Sequence, residues 1–305
     1  MSTAAQRTRR RASPARRHQS ITAYLMLTPF AIVFATMLVA PLVFSGYLSL
    51  FRTQLVGGTV FVGLENYAKA LVDPSFLGGL GRVALFLVIQ VPIMLLLALL
   101  FALALDSGLS RASRFVRLSI FVPYAIPGVV ATLMWGYMYS DAIGPISQVL
   151  ALLGLDSPAF FSNAGIIPSI MNIVVWEWTG YNMIILYAAL RSVPDELYEA
   201  AEVDGAGPFR KAWSIKIPAI RPALILTGIF AIIGTFQLFN EPKLLYELAP
   251  NVIRTDFSPN LYAYNEAFIS RNVEYAAALA FLLGIAIMVL SYVFQLGTRR
   301  RNEPR

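Results

Sequence analysis

Cysteine is absent from the 305 residues, and the single histidine, His18, lies in a polar stretch. Disulfides and Cys/His metal clusters are thereby excluded. Charge is scarce too: Asp, Glu, Lys and Arg make up 13% of the chain, where soluble domains carry about a quarter. No Gly-x-x-x-x-Gly-Lys-Ser/Thr loop occurs, nor any Gly-Lys pair, so the chain lacks the usual means of hydrolysing a nucleotide. No nucleophile, base and orienting group can be grouped either. The expectation is a protein that is not an enzyme, with no catalytic residues, no metal and no cofactor of its own.

What is abundant is apolar sequence: 57% of the residues, with a mean hydropathy of +0.65. It falls into six blocks, at 23–50, 83–105, 118–139, 166–190, 223–239 and 275–296, each long enough to cross the ~30 Å hydrocarbon layer as a helix. The block at 23–50 follows six arginines, but it far exceeds the ~7–15 apolar residues of a signal peptide and is expected to stay as the first span. The fifth block closes early at Asn240, Glu241 and Pro242, which leaves a break at Pro242 or a tilted continuation. No connection is long enough to hold a soluble domain. The organisation expected is a basic, disordered tail at 1–20, an all-α membrane domain at 21–298, and a second basic tail at 299–305.

The net charge of +7 is distributed as an orientation signal and not as a nucleic-acid footprint. Eighteen of the 24 Lys and Arg residues lie in the two tails and in 106–117 and 191–221, against six on the opposite side. Both termini and those two loops are therefore expected in the cytoplasm, with the lipid membrane as the main surroundings.

The 191–221 loop reads as two short helices. Ser192 is expected to cap the first, with Pro194 in its first turn and Asp195 as the reciprocal acid. Gly205 then supplies a positive φ, and Pro208 opens a second helix expected to stop before Pro218. The charges are balanced, Ala200 and Ala201 permit close approach, and Tyr198, Phe209 and Trp213 offer aromatic anchors of the kind that dominate interfaces. Such a loop is suited to meeting another protein.

Glu199-Ala200-Ala201, Gly205 and Ile215-Lys216-Ile217-Pro218 resemble the signature of the permease subunits of binding-protein-dependent ABC importers, which is Glu-Ala-Ala, three residues, Gly, nine residues, Ile-x-Leu-Pro. Ile217 for Leu is the only departure. Phe61-Val-Gly-Leu-Glu-Asn-Tyr67 with Asp73-Pro74 looks like the first external loop of the carbohydrate branch. Phe121-Val-Pro-Tyr-Ala-Ile-Pro127, Trp178-Thr-Gly-Tyr181 and Asp204-Gly-Ala-Gly-Pro-Phe209 are similar to the larger maltose permease subunit, and the glycerol-phosphate permease is alike. The family's Gly-Gly-Pro turn after span five is absent, and 247–250 reads Glu-Leu-Ala-Pro. The resemblance implies the type I ABC importer permease fold of about six helices. It also implies that Glu199, Ala200, Ala201, Asp204, Gly205, Phe209, Ile215 and Pro218 couple to a dimer of ATPase subunits, which would hold ATP and Mg. A second permease subunit and an extracytoplasmic solute-binding protein complete the partners it implies, in a bacterial or archaeal plasma membrane.

A sugar is held by hydrogen bonds to its hydroxyls and by aromatic faces on its C–H surfaces, so aromatic and polar side chains at mid-membrane depth are the informative ones. Span three offers Tyr124 and Gly128. Span four offers Trp176, Gly180 and Met183 on one stripe, with Glu177 and Tyr181 beside it. Span five offers Gly234, Thr235, Gln237 and Leu238. The resemblance to the maltose permease puts Tyr124 and Gly180 at sugar-contacting positions, and puts Gly128, Trp176, Met183, Thr235 and Leu238 at such positions with other side chains. Glu177 is expected to be the only ionisable group near the middle of a span, facing a watery cavity or accepting bonds from Asn172, Tyr181 or a partner. A proton-coupled secondary transporter using Glu177 is the alternative. Six spans without an inverted repeat weigh against it.

Overall fold

The computed structural model describes residues 14–54, 56–107 and 113–299. Most of the two basic tails, and part of the 106–117 loop, lie outside the described residues. Within them the chain is mostly helical. Five helices are long and apolar enough to cross a membrane: Tyr24–Leu48, Pro74–Asp106, Ile166–Leu190, Arg221–Leu245 and Val273–Thr298. These are the first, second, fourth, fifth and sixth spans.

The third span departs from the continuous helix expected at 118–139. It is a pair of arms, Arg114–Ala125 and Gly128–Met138, bent by 98°. Pro127 is the cause. It has no N–H to continue the ladder, its ring would strike the preceding turn, and it disfavours helical backbone at Ile126. Pro127 takes an extended ψ of 130° and starts the second arm.

The fifth span also breaks differently. The helix Arg221–Phe236 ends, three residues run without helical form, and Asn240–Leu245 resumes. The break therefore precedes Pro242, which sits in the first turn of the resumed helix, where its missing N–H costs nothing. The freed carbonyls are taken up from the outer loop: Ser258 Oγ donates to the Leu238 carbonyl at 2.6 Å, and Asn260 Nδ2 to that of Gln237 at 3.4 Å.

The fourth span is the hub. Its outer half packs Ile166, Ile170 and Ile173 against Phe86, Leu245 and Ile253. Its inner half packs Met183, Leu186 and Leu190 against Ala98, Ala102 and Ile220. The first span buries none of its apolar window and rests on the sixth where Gly46 faces the Phe281 ring. A wide turn at Ala35–Val39 in this span precedes Pro41, the Ala40 N–H donating five residues back to Ala35. Widening the turn removes the demand for the N–H that proline lacks.

Beyond the ends of the spans, Phe61-Val-Gly-Leu-Glu-Asn-Tyr67 and Asp73 tie neighbouring ends together. A hairpin pairs Phe51–Gln54 with Gly58–Phe61. Asn66 Nδ2 donates to the Ser49 and Phe51 carbonyls at 2.8 and 2.7 Å, and the Tyr67 hydroxyl meets Ser49 Oγ at 2.6 Å. Asp73 caps the second span by accepting from the Ser75 N–H, and Tyr262 and Tyr275 donate to its Oδ2 at 2.7 and 2.6 Å. Burial pushes the Asp73 carboxyl up, but the bonds from Tyr275, Tyr262 and the Ser75 and Phe76 N–H groups outweigh it and leave it below the usual carboxylate value.

Candidate functional site

A cavity of about 350 Å³ opens between the second, fourth and fifth spans, walled by Phe86, Gln90, Met94, Trp178, Tyr181, Asn182, Thr235, Leu238, Asn240 and Glu241 among others. It lies beside the break in the fifth span, where interrupted helix frees the backbone to line a polar space. The walls are mostly apolar, with aromatic faces at Trp178 and Tyr181. Polar atoms interrupt them. Gln90 and Asn182 are 1% and 3% exposed, yet Gln90 Oε1 and Asn182 Oδ1 have no hydrogen-bond partner in the protein. The Asn182 amide N–H donates instead to the Trp178 carbonyl at 2.9 Å. Two unpaired acceptors beside two aromatic faces form a surface suited to a hydroxyl-rich solute.

Of the solute-path residues expected from the sequence, Thr235 and Leu238 line this cavity, and so do Tyr181, Gly234 and Gln237. Tyr124 stands one layer back, its ring 4.8 Å from that of Tyr181 and 5.4 Å from that of Trp178. Gly180 is a close-crossing point: a Cβ there would run into the Ile120 carbonyl and stand 2.8 Å from the Phe121 Cα. Met183 is fully enclosed in the inner core. Trp176 sets its ring edge-on to Trp135 at 5.7 Å. Gly128 lies against Glu177, with Oε1 3.2 Å from where a Cβ would stand.

Glu177 is buried, and its Oε2 has no protein partner. Asn172 is engaged elsewhere, donating to the Tyr139 hydroxyl at 2.7 Å. Nor is Glu177 the only carboxylate at this depth. The fifth span extends to Leu245 and so carries Glu241 into the bundle, 8% exposed, where the sequence suggested a span terminator.

Sequence reasoning passed over Gln90, Met94, Trp178 and Asn182. The signal was present for one of them: Gln90 is the only polar side chain in the apolar block 83–105, and a lone amide in such a block marks an interior face.

In the 191–221 loop, Asp195–Val203 forms the first helix and ends where Gly205 takes φ +74°. The Ala206 N–H then closes back on the Ala201 carbonyl at 2.8 Å, the arrangement expected of a glycine stop. Two expectations are overturned. Ser192 does not cap this helix, since its hydroxyl donates back to the Ala189 carbonyl and no side chain caps Asp195; Pro194 supplies the turn geometry instead. The second helix does not stop before Pro218. It opens at Pro208, widens into a π turn at Ala212–Lys216 and continues through Pro218 to Ala219, by the same device used ahead of Pro41.

Glu199, Ala200, Asp204, Gly205, Phe209 and Pro218 are exposed, and Ala201 and Ile215 half-buried. Val203, Phe209 and Trp213, at 89%, 82% and 68% exposure, present a bare apolar surface. Tyr198 is not part of it. Its hydroxyl is buried without a partner, and Lys216 stands over its ring. Burial first, then the Asp106 and Asp195 carboxylates, push the Tyr198 phenol up. Lys216 forms an ion pair with Asp106, the last residue of the second span, in which the two side chains are 14% and 6% exposed.

A broken-helix bundle enclosing a mostly apolar cavity with unpaired polar acceptors, and carrying an apolar-tipped loop, is the architecture of a solute permease. The sequence matches the family described as binding-protein-dependent transport system inner membrane component over residues 3–302, and the chain belongs to that family. Among its relatives, an arabinooligosaccharides transport system permease protein, AraP, from Halalkalibacterium halodurans is 29% identical over 90% of this chain and 86% of its own. The lactose transport system permease protein LacF of Rhizobium radiobacter is 29% identical over 95% and 98%. The diacetylchitobiose uptake system permease protein NgcF of Streptomyces coelicolor is 33% identical over 76% and 69%. The fold matches, with a TM-score of 0.81 and 21% identity over 95% of this chain and 99% of the other, a crystal structure of a bacterial ABC transporter that imports the acidic polysaccharide alginate.

Proposed function

We propose that this chain pairs with a second, different permease to form the path of a sugar-like solute, and that its 191–221 loop couples the path to an ATPase dimer. A solute-binding protein delivers the solute from outside. ATP and Mg belong to the ATPase. The observation that carries this reading is the pairing of two features in one chain: a cavity with aromatic faces and unpaired acceptors, and a glycine-stopped loop with Val203, Phe209 and Trp213 bare on its outer face. Apolar side chains left this exposed on a loop rich in charge favour burial against another protein. The distribution of Lys and Arg supports cytoplasmic termini and a cytoplasmic position for this loop.

The test is purification from mild detergent followed by uptake in liposomes. The expected result is that the chain is recovered with a second permease and an ATPase, and that uptake needs hydrolysable ATP. Replacing Phe209 and Trp213 together by Ala should cut ATPase recovery at least about tenfold, since two aromatic anchors each contribute roughly 1–3 kcal/mol. Uptake by this chain alone, driven by a proton gradient without ATP, would overturn the proposal.

A further inference from the structure

The second and fourth spans meet at one sulfur. Gln90 Nε2 lies 3.5 Å from Met94 Sδ, one turn further along the second span, and Asn182 Nδ2 of the fourth span approaches the same sulfur at 3.7 Å. All three side chains line the cavity, and each is more than nine-tenths buried. Asn182 Nδ2 also donates to the Trp178 carbonyl at 2.9 Å, which fixes the sense of its amide, because the reverse orientation would set oxygen against oxygen. Both amide nitrogens are thus turned to acceptors within the protein, and the two oxygens are left over.

Neither oxygen has a partner among the described residues. Buried amide oxygens are normally bonded, and two bare ones on adjoining side chains call for a physical reason. Packing does not supply one, since Met or Leu would fill a similar volume with no polar atom to desolvate. What each oxygen lacks is a donor, and a hydroxyl group provides it. A thioether is a weak acceptor and the last torsion of a glutamine is broad, so the Gln90 amide turns toward an entering hydroxyl at little cost. Asn182 is held more firmly, by the Trp178 carbonyl. Trp178 and Tyr181 stand in the same wall and offer aromatic faces to the C–H side of the same molecule.

We propose that Gln90 and Asn182 are a specificity pair that accepts hydrogen bonds from two hydroxyls of one bound sugar, with Met94 as the positioning residue that keeps both nitrogens turned away from it. The proposal rests on reading this cavity as the solute path. It adds a requirement to that reading: the solute must present O–H donors at two places, and oxygen atoms alone do not suffice.

The test uses the full chain with its co-purified partners in lipid nanodiscs, without binding protein. Saturation-transfer NMR first screens glucose, galactose, arabinose, maltose, lactose and cellobiose for contact. Each sugar in contact is then titrated beside its monodeoxyfluoro analogues, in which fluorine replaces one hydroxyl and cannot donate. Two positions are expected at which fluorine weakens binding at least about tenfold. In Gln90→Met the penalty at one of them should fall below about twofold, and in Asn182→Leu the penalty at the other, a pairwise signature that general loosening of the bundle does not produce. Penalties that persist unchanged in both variants would overturn the proposal, as would the absence of any penalty in the unaltered protein, and in either case contact by the sugar leaves the cavity as the solute path. Silence from every sugar would overturn both readings. If a variant does not assemble, the unaltered protein still decides: two penalised positions support the pair, and none overturns it.

Discussion

A ring at Tyr124 and the missing side chain at Gly180 serve the same contact from opposite sides. Only a glycine lets the first arm of the third span, at Ile120 and Phe121, lie directly on the fourth span, and that approach lays the Tyr124 ring on Tyr181 and against the edge of Trp178. Tyr181 and Trp178 in turn face the cavity. Tyr124 thus holds two wall residues in place, an aromatic contribution of roughly 0.5–1.5 kcal/mol per pair. Tyr124→Ala is expected to raise the half-saturation concentration for uptake several-fold while the complex assembles normally. Tyr124→Phe should keep uptake near normal, because the ring faces make the contacts. Unchanged uptake in Tyr124→Ala, or its failure through loss of the ATPase, would show that Tyr124 does not support the cavity wall. The sequence drew attention to Tyr124 and Gly180 through their resemblance to a family pattern. It could not reveal that one backs the other's crossing, since that depends on a 98° bend whose angle no local propensity encodes.

At the scale of the element, helices read well from this sequence and their interruptions less so. Hydrophobic blocks located the five spanning helices and the bent pair at the third block, because a bilayer demands long apolar stretches and little else. Prolines misled in both directions. Pro218 was expected to end a helix, and Pro242 to mark either a break or a tilted continuation, yet a π turn accommodates the first and a first-turn position the second; Pro127, read as part of a continuous span, is the one that bends the chain. Gly205 was legible because its demand is local. Its φ of +74° costs a β-branched residue about 1–2 kcal/mol, and no atom within 4 Å would oppose a Cβ, so conformation alone is altered by substitution there. Gly205→Val is expected to insert and assemble but to lose at least half of its uptake while ATP hydrolysis continues. Gly205→Asn should largely restore uptake, since Asn tolerates this region. Full uptake by the Val variant would show that the turn does not transmit coupling, and its absence from the membrane would make the turn structural.

Across the whole molecule the second span is the element that reaches from one functional end to the other. Its 33 residues extend about 50 Å as a helix. At one end its cap, Asp73, is held by Tyr262 and Tyr275 of the last two helices, Pro259–Phe268 and Val273–Arg299. Midway it presents Gln90 and Met94 to the cavity. At the other end its last residue, Asp106, is paired with Lys216 of the 191–221 loop, whose ammonium group also lies over the Tyr198 ring, 5.1 Å from its centroid. On the function proposed above, a displacement of the loop by an ATPase would be delivered to the same helix that lines the cavity. Leaving one member of so buried a pair without the other costs on the order of 3–5 kcal/mol, enough to loosen the loop, while the core built on the fourth span makes no use of the pair. Asp106→Asn and Lys216→Gln are each expected to leave ATP hydrolysis running while uptake per ATP falls at least several-fold, and the exchanged pair, Asp106→Lys with Lys216→Asp, should recover part of the loss. Measurement of hydrolysis and uptake on the same proteoliposomes decides it. If both rates fall in proportion, the pair only seats the ATPase; if neither falls, the second span does not carry the loop's movement to the cavity.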